Sequence, residues 1–147
     1  MLIRRKDGSR LIDTGASLDL SGQNLRDMDF KGGILEGGDL SDSDLRGADF
    51  SGAELYGTYL YRADCTECNF AGALLRGVVL DEATLTEVNL EGTRLLRNNM
   101  GTSCSLLGAD LRDANLATTV FTGCEYDSST LFPAGFDPVA RGMVRKQ

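Results

Sequence analysis

The chain has 147 residues, 41% of them hydrophobic but only 7% aromatic, with no Trp, no His and 18 Gly. That is enough for one domain, but it is thin in the large side chains of an ordinary globular core and suits a narrow core built from many copies of one medium-sized residue. No stretch approaches the ~18 consecutive apolar residues of a membrane-spanning helix, and the polar, basic start from Met1 to Arg10 lacks the apolar centre of a secretory signal. The net charge of −7 is uneven: residues 1–15 and 133–147 each carry a net +2, leaving −11 on residues 16–132. Such a body argues against direct nucleic-acid binding, which needs clustered Lys and Arg, and is compatible with a basic protein partner.

In chain order, the first predicted element is a short helical turn over Ser9–Gly15, with Ser9 as N-cap and Gly15 as terminator. Leu11 and Ile12 would cover the near end of the body.

The body itself, from Leu20 onward, is a repeat. Every fifth residue is apolar, in the series Leu20, Leu25, Phe30, Leu35, Leu40, Leu45, Phe50, Leu55, Leu60, Cys65, Phe70, Leu75, Leu80, Leu85, Leu90, Leu95, Met100. At this apolar content chance gives such a run roughly once in a million tries. After Met100 the frame slips by one and resumes as Leu106, Leu111, Leu116, Phe121, Tyr126, Leu131, which reads as 23 repeats with one single-residue insertion near Gly101–Ser103. Two residues before each centre the side chain is usually small, as in Ala48, Ala53, Ala63, Ala73, Ala83, Ala109 and Ala114; one before is often Asp or Asn; two after is often Gly. Five is the period of neither helix nor strand. A turn every five residues points all the centres one way, with Gly at the corners and Asx side chains bonding nearby backbone.

Ala48-Asp49-Phe50-Ser51-Gly52 followed by Ala53-Glu54-Leu55-Tyr56-Gly57, with Gly108-Ala109-Asp110-Leu111-Arg112 further on, resembles the A(D/N)LXX signature of the pentapeptide-repeat proteins. The resemblance covers about residues 16–132. It implies an all-β fold: a right-handed quadrilateral β-solenoid with four repeats per 20-residue coil and nearly six coils, about 25–30 Å long at ~4.8 Å per coil. Residues 1–15 and 133–147 are then its N- and C-terminal caps, needed because a stacked solenoid exposes unpaired backbone at both ends. Asp137-Pro138 reads as N-cap and first residue of a short helix through about Val144. Phe136, Val139 and Met143 would close the last coil. The segment from Leu131 to Pro138 is similar to the endings of cyanobacterial members.

Four cysteines raise metal and disulfide chemistry. Cys65-x-x-Cys68 lacks the second ligand pair that zinc needs, so no metal or other cofactor is expected. A local disulfide across that corner is the lesser candidate. Cys104 and Cys124 are the better one, since both fall in the small-residue slot 20 residues apart and should stack at ~4.8 Å between Cα atoms. The bland alternative is reduced thiols acting as small apolar residues. A cytoplasmic location is expected, with a periplasm or thylakoid lumen indicated instead by oxidised cysteines.

The 20-residue period also places outward residues. Tyr59 and Val79 share a column, Tyr56, Arg76 and Leu96 another, and Ile34, Glu54, Leu74 and Arg94 a third. Tyr56, Tyr59, Tyr61, Leu74, Val79 and Leu96 thus form a patch across two adjoining faces, a candidate surface for an unidentified protein partner. A further column is read as Asp29, Asp49, Asn69, Asn89, Asp110. No nucleophile or basic group accompanies these carboxylates, so no catalytic residue is assigned and no enzyme is expected. The function expected is a non-catalytic structural or protein-interaction module, a monomer rather than a dimer, away from membranes. The second reading rests on the resemblance: some pentapeptide-repeat proteins mimic DNA and bind a topoisomerase, and an acidic rod suits that role, although those relatives dimerise through a C-terminal element where this chain has a short basic cap.

Overall fold

The five-residue repeat folds into a coil because each repeat ends in a tight turn. The amide two residues before a centre donates to the preceding centre's carbonyl, as in Ala53 N to Phe50 O and Ala73 N to Phe70 O, both 2.9 Å. The residue two after the centre is left-handed: Gly52 has φ 64° and Gly72 φ 67°. Glycine adopts that region without strain, yet Asp42, Arg62, Glu67, Glu87 and Thr118 adopt it too, at φ between 56° and 59°.

The computed structural model describes the backbone of residues 2–5 and 10–13 and the whole of residues 18–147. The chain winds as a right-handed solenoid. Parallel bridges join residues 20 apart, for example Asp29 to Asp49, Tyr59 to Val79 and Asn69 to Asn89. The centres Leu35, Leu40, Leu55, Leu60, Leu75 and Leu90 are fully buried, and Phe30, Phe50 and Phe70 stack at 4.5 and 4.8 Å between ring centroids. That spacing matches the distance between coils, so one column of rings is continuous.

The small slots are polar where they fill a second role. Thr58 Oγ1, Thr93 Oγ1 and Thr119 Oγ1 each donate at 2.7 Å to a carbonyl on the previous coil, those of Leu35, Phe70 and Leu90. Each buried hydroxyl is thereby satisfied.

Three expectations are corrected. The insertion is six residues, not one. Beyond it the bridges run Val79 to Ser105, Thr84 to Asp110, Asn89 to Asn115 and Arg94 to Val120, an offset of 26. Met100 is not a core centre; it is 87% exposed. One and six are the same shift in a period of five, so the apolar series alone does not separate them. A second slip comes after Tyr126, where Asp110 pairs with Leu131 at an offset of 21. Leu131 therefore faces out and Phe132 packs on the core.

The front cap is not a helical turn. Strand β1 (Leu2–Arg5) pairs antiparallel with β2 (Arg10–Asp13), and β1 pairs on its other side with β3 (Met28–Asp29), Arg4 opposite Asp29 and Arg5 opposite Met28. This hairpin supplies hydrogen-bonding partners to the edge of the first coil. The overlooked cue was Asp7-Gly8, a hairpin dipeptide between the apolar pairs Leu2-Ile3 and Leu11-Ile12. Ser9, Thr14 and Gly15, which framed the helical reading, lie outside the described residues.

The rear cap is one capped turn rather than a helix to Val144. Asp137 Oδ1 accepts from Val139 N at 3.0 Å and Ala140 N at 3.1 Å, but Gly142 turns left-handed at φ 76° and ends it. The chain then enters β7 (Val144–Arg145), parallel to β6 (Glu125–Tyr126). Phe136 and Met143 cover the last coil as expected, whereas Val139 is 69% exposed. Phe132 and Phe136 stack at 4.9 Å, and Arg141 lies over Phe136 while donating to Thr119 O at 2.8 Å and Leu116 O at 3.3 Å. The cap therefore occupies carbonyls that no further coil would reach.

Candidate interaction surface

The remaining strands lie on one face, where β4 (Leu74–Arg76) pairs in parallel with β5 (Arg94–Leu96). Leu74 faces Arg94 across the ladder and Arg76 faces Leu96, so apolar and cationic side chains alternate. Tyr56 and Glu54 precede them on the coil before, with Glu54 bridged to Leu74. On the adjoining face Tyr59 bridges Val79. Tyr61 lies beside them, its hydroxyl 3.3 Å from Glu82 Oε1 and Arg62 over its ring.

The structure thus brings all six patch residues to two adjoining faces. Only Tyr59, at 51%, and Tyr61, at 36%, are exposed; Tyr56, Leu74, Val79 and Leu96 are half-buried.

The six extra residues emerge at the corner between these faces, and sequence reasoning missed what they do there. Asn98 organises the loop. Its Oδ1 accepts from Met100 N at 3.0 Å and Thr102 N at 2.9 Å, and its own amide donates to Thr102 O at 2.9 Å. The loop then folds back on the patch, with Asn99 N donating to Tyr56 Oη at 2.8 Å. A Cβ on Gly77 would come 2.7 Å from Asn98 Nδ2, so this glycine makes room for the loop. The sequence signal was Asn98, which stands two before Met100 where the repeat usually has a small residue. Between loop and face lies a groove of about 340 Å³, lined by Glu54, Tyr56, Leu74, Arg76 and Asn99.

Some cations of the solenoid are held in ion pairs. Arg46 pairs with Asp44 at 2.6 Å, Arg62 with Asp42 at 3.3 Å, Arg112 with Asp110 at 2.7 Å and Lys146 with Glu125 at 3.2 Å. Those partners hold the Asp44 and Asp110 carboxyls below the usual carboxylate range, chiefly by hydrogen bonds from Arg46 and Arg112. Arg76, Arg94 and Arg97 have no carboxylate partner among the described residues.

The carboxylate and amide column is corrected at its end: Asn89 pairs with Asn115, and Asp110 lies beside Thr84. Asn69, Asn89 and Asn115 form an amide ladder upward from Asp49, with Nδ2 to Oδ1 distances of 3.3, 3.2 and 3.1 Å. Each Oδ1 also accepts the amide two residues on, as in Ala71 N to Asn69 at 3.1 Å. These groups are occupied in holding turns, a structural role.

All four cysteines are free thiols and buried. Cys68 Sγ donates to Leu45 O at 3.0 Å and Cys124 Sγ to Leu95 O at 3.2 Å, in the manner of the threonines. Cys104 Sγ lies 2.6 Å from Leu75 O. Cys104 and Cys124 occupy the same slot on adjacent coils, flanked by the Ser105 to Glu125 bridge. The contact with Cys124 lowers the Cys104 thiol below its ordinary range, and the same contact with burial pushes Cys124 up. Cys65, a repeat centre, is raised by its neighbour Cys68 and by burial. Among the described residues no group of three or more His, Cys, Asp and Glu side chains is placed to hold a metal ion, and no helix is long and apolar enough to cross a membrane.

The family model described as pentapeptide repeats matches residues 16–52, 24–60 and 63–95 in eight copies. A pentapeptide repeat protein of the Arabidopsis thaliana thylakoid lumen is 31% identical, over 74% of this chain and 68% of that one, with a TM-score of 0.50. One from the cyanobacterium Nostoc is 28% identical over 88% and 86%, with a TM-score of 0.51. Another, from the cyanobacterium Cyanothece, shares the fold at 24% identity over 79% and 85%, with a TM-score of 0.65. Among curated proteins nothing matches the chain.

Proposed function

The chain belongs to the pentapeptide-repeat family, and from that premise we propose that it is a non-catalytic interaction module whose rigid solenoid presents the Tyr59 corner to a protein partner. The observation that carries this reading is a cluster of outward aromatic and aliphatic side chains at one corner. Tyr59, Tyr61 and Val79 stand on one side of a buttressed loop, Tyr56, Leu74 and Leu96 on the other, and Met100 at its tip. Aromatic residues and Met are the types enriched at the centres of protein interfaces. A solenoid braced by backbone ladders on every face loses little conformational entropy on docking. The module acts as a monomer and binds neither nucleic acid nor membrane directly.

The test is capture of partners from a lysate of the source cells by the protein and by Tyr59→Ala. The reading expects partners that bind the protein and lose at least about tenfold in affinity with Tyr59→Ala. Capture of DNA-processing enzymes alone, undisturbed by that substitution, would transfer the function to the acidic faces and to mimicry of DNA.

The cysteines report the compartment. Four alkylatable thiols in natively isolated, denatured protein are expected for a reducing cytoplasm. Two, with Cys104 and Cys124 protected, would place the protein in an oxidising space such as a periplasm or the thylakoid lumen where its Arabidopsis relative resides.

A further inference from the structure

On the face beside the Tyr59 corner, three arginines stand without an ion-pair partner among the described residues. Arg76 and Arg94 lie on adjacent strands at diagonal positions, and Arg97 comes directly after Leu96 at the loop's root. Residues 16–132 carry a net −11; of the other cations on the solenoid, Arg46, Arg62 and Arg112 are in ion pairs at 3.3 Å or less, while Arg26 and Lys31 near the front end are unpaired among the described residues. Here Arg76 and Arg94 alternate with Leu74 and Leu96, and a groove of about 340 Å³ runs under the loop against Tyr56 and Arg76.

We infer that this face, from β4 and β5 to the Asn98–Met100 loop, is a docking site for an acidic, extended segment of a protein partner. This rests on the interaction module proposed for the Tyr59 corner and names the partner's chemistry, reversing the basic partner that net charge alone suggested. Diagonal side chains on neighbouring strands are about 7–8 Å apart. Alternate residues of an extended chain repeat every ~6.8 Å, so two carboxylates on one face of a strand reach both guanidiniums. Each pair forms charge-assisted hydrogen bonds that an isolated guanidinium does not make. The methylenes of such carboxylate side chains cover Leu74 and Leu96. Arg97 extends the cationic row, and its side chain lies along Gly123, where a Cβ would come 3.3 Å from Nε. Glu54 is the one carboxylate lining the groove, and it opposes the ligand.

The experiment is fluorescence anisotropy of the full chain with a short fluorescein-labelled peptide of alternating Glu and Val, against a peptide of alternating Lys and Val. The inference expects the Glu peptide to bind and the Lys peptide not to. It further expects Arg76→Glu and Arg94→Glu each to weaken binding about tenfold, Glu54→Gln to tighten it, and added salt to weaken it. All three positions face solvent on an intact ladder, and circular dichroism checks that each variant keeps the parent melt. Equal binding of the two peptides, or binding indifferent to both arginine variants, overturns the inference. So does Arg76-dependent binding to phosphatidylserine vesicles in place of the peptide, which would make the face a membrane contact. Partner capture that depends on Tyr59 but is untouched by Arg76→Glu would defeat this inference and leave the interaction module standing.

Discussion

At the scale of the residue, each five-residue repeat uses its positions for separate physical jobs. The centre fills the core, the slot two before it fills space or donates to the previous coil, and the slot two after it turns left-handed. The third job is testable without disturbing packing. A Cβ built on Gly52 meets nothing within 4 Å, and its φ is 64°. Any penalty on Gly52→Ala is therefore backbone strain, offset in part by the more restricted unfolded chain. Left-handed backbone is disfavoured by roughly 1–2 kcal/mol for a residue with a Cβ. Gly52→Ala is expected to destabilise by about 1 kcal/mol in urea unfolding, with m unchanged. A neutral result would mean that the coil itself imposes this geometry at no cost, as Glu67 and Thr118 elsewhere would then also imply.

At the scale of the element, the irregular pieces are held by single hubs. Asn98 organises the six-residue loop. Asp127 organises the one-residue slip before Phe132: its Oδ1 accepts from Ser129 N at 2.9 Å, Ser129 Oγ at 2.7 Å, Thr130 N at 3.1 Å and Gly108 N at 3.1 Å. The hydrogen bond from Ser129 leads the causes that lower its pKa from 3.8 to about 2. A carboxyl depressed in the folded state contributes stability that is complete above its unfolded value and fades as pH falls toward the folded one. Asp127→Ala is therefore expected to lower the melting temperature near neutral pH, with the gap to the parent closing between about pH 4 and pH 2. A gap independent of pH would assign the effect to lost packing instead of charge.

These same elements show what the sequence carried and what it hid. The coil and the neighbours Tyr59 and Val79 were legible because a period repeated many times fixes register strongly, whereas the handedness was legible only through the family resemblance. The loop was hidden by arithmetic: Met100 fell on the series by coincidence, and a shift of six imitates a shift of one. The caps were hidden because each end is a single, unrepeated segment where local cues compete. Asp7-Gly8 outweighed Ser9 as a signal, and Gly142 stopped a turn that Asp137-Pro138 had begun. Of the candidate site, the columns that set Tyr59 beside Val79, and Leu74 and Arg76 beside Arg94 and Leu96, were legible as neighbours. The loop that splits the two faces depended on the register past Met100 and was out of reach.

At the scale of the whole molecule, the solenoid is a closely braced rod with one singular corner. Many of its outward Asp and Asn side chains are tied into turns, and both ends are covered by chain that is not repeat. The hairpin β1–β2 adds to the first coil through β3, and the aromatic cap with Arg141 covers the last. Among the described residues, only where the coil lengthens to 26 residues do an apolar cluster, a groove and unpaired cations coincide. The loop that buttresses this surface exists only if the register is the one described, and Met100 is its most direct reporter.

Brief peroxide oxidation of the native protein, with mass spectrometry of its methionines, decides the matter. Met100 is 87% exposed while Met28 and Met143 are 2% and 6%. Among the described methionines Met100 is expected to be oxidised first, at a rate approaching that of a methionine in unfolded peptide, with Met28 and Met143 protected until unfolding. Protection of Met100 to the same degree as Met28 would return it to the core, reduce the loop to a single extra residue and remove the buttress and groove of the corner on which the proposed function rests.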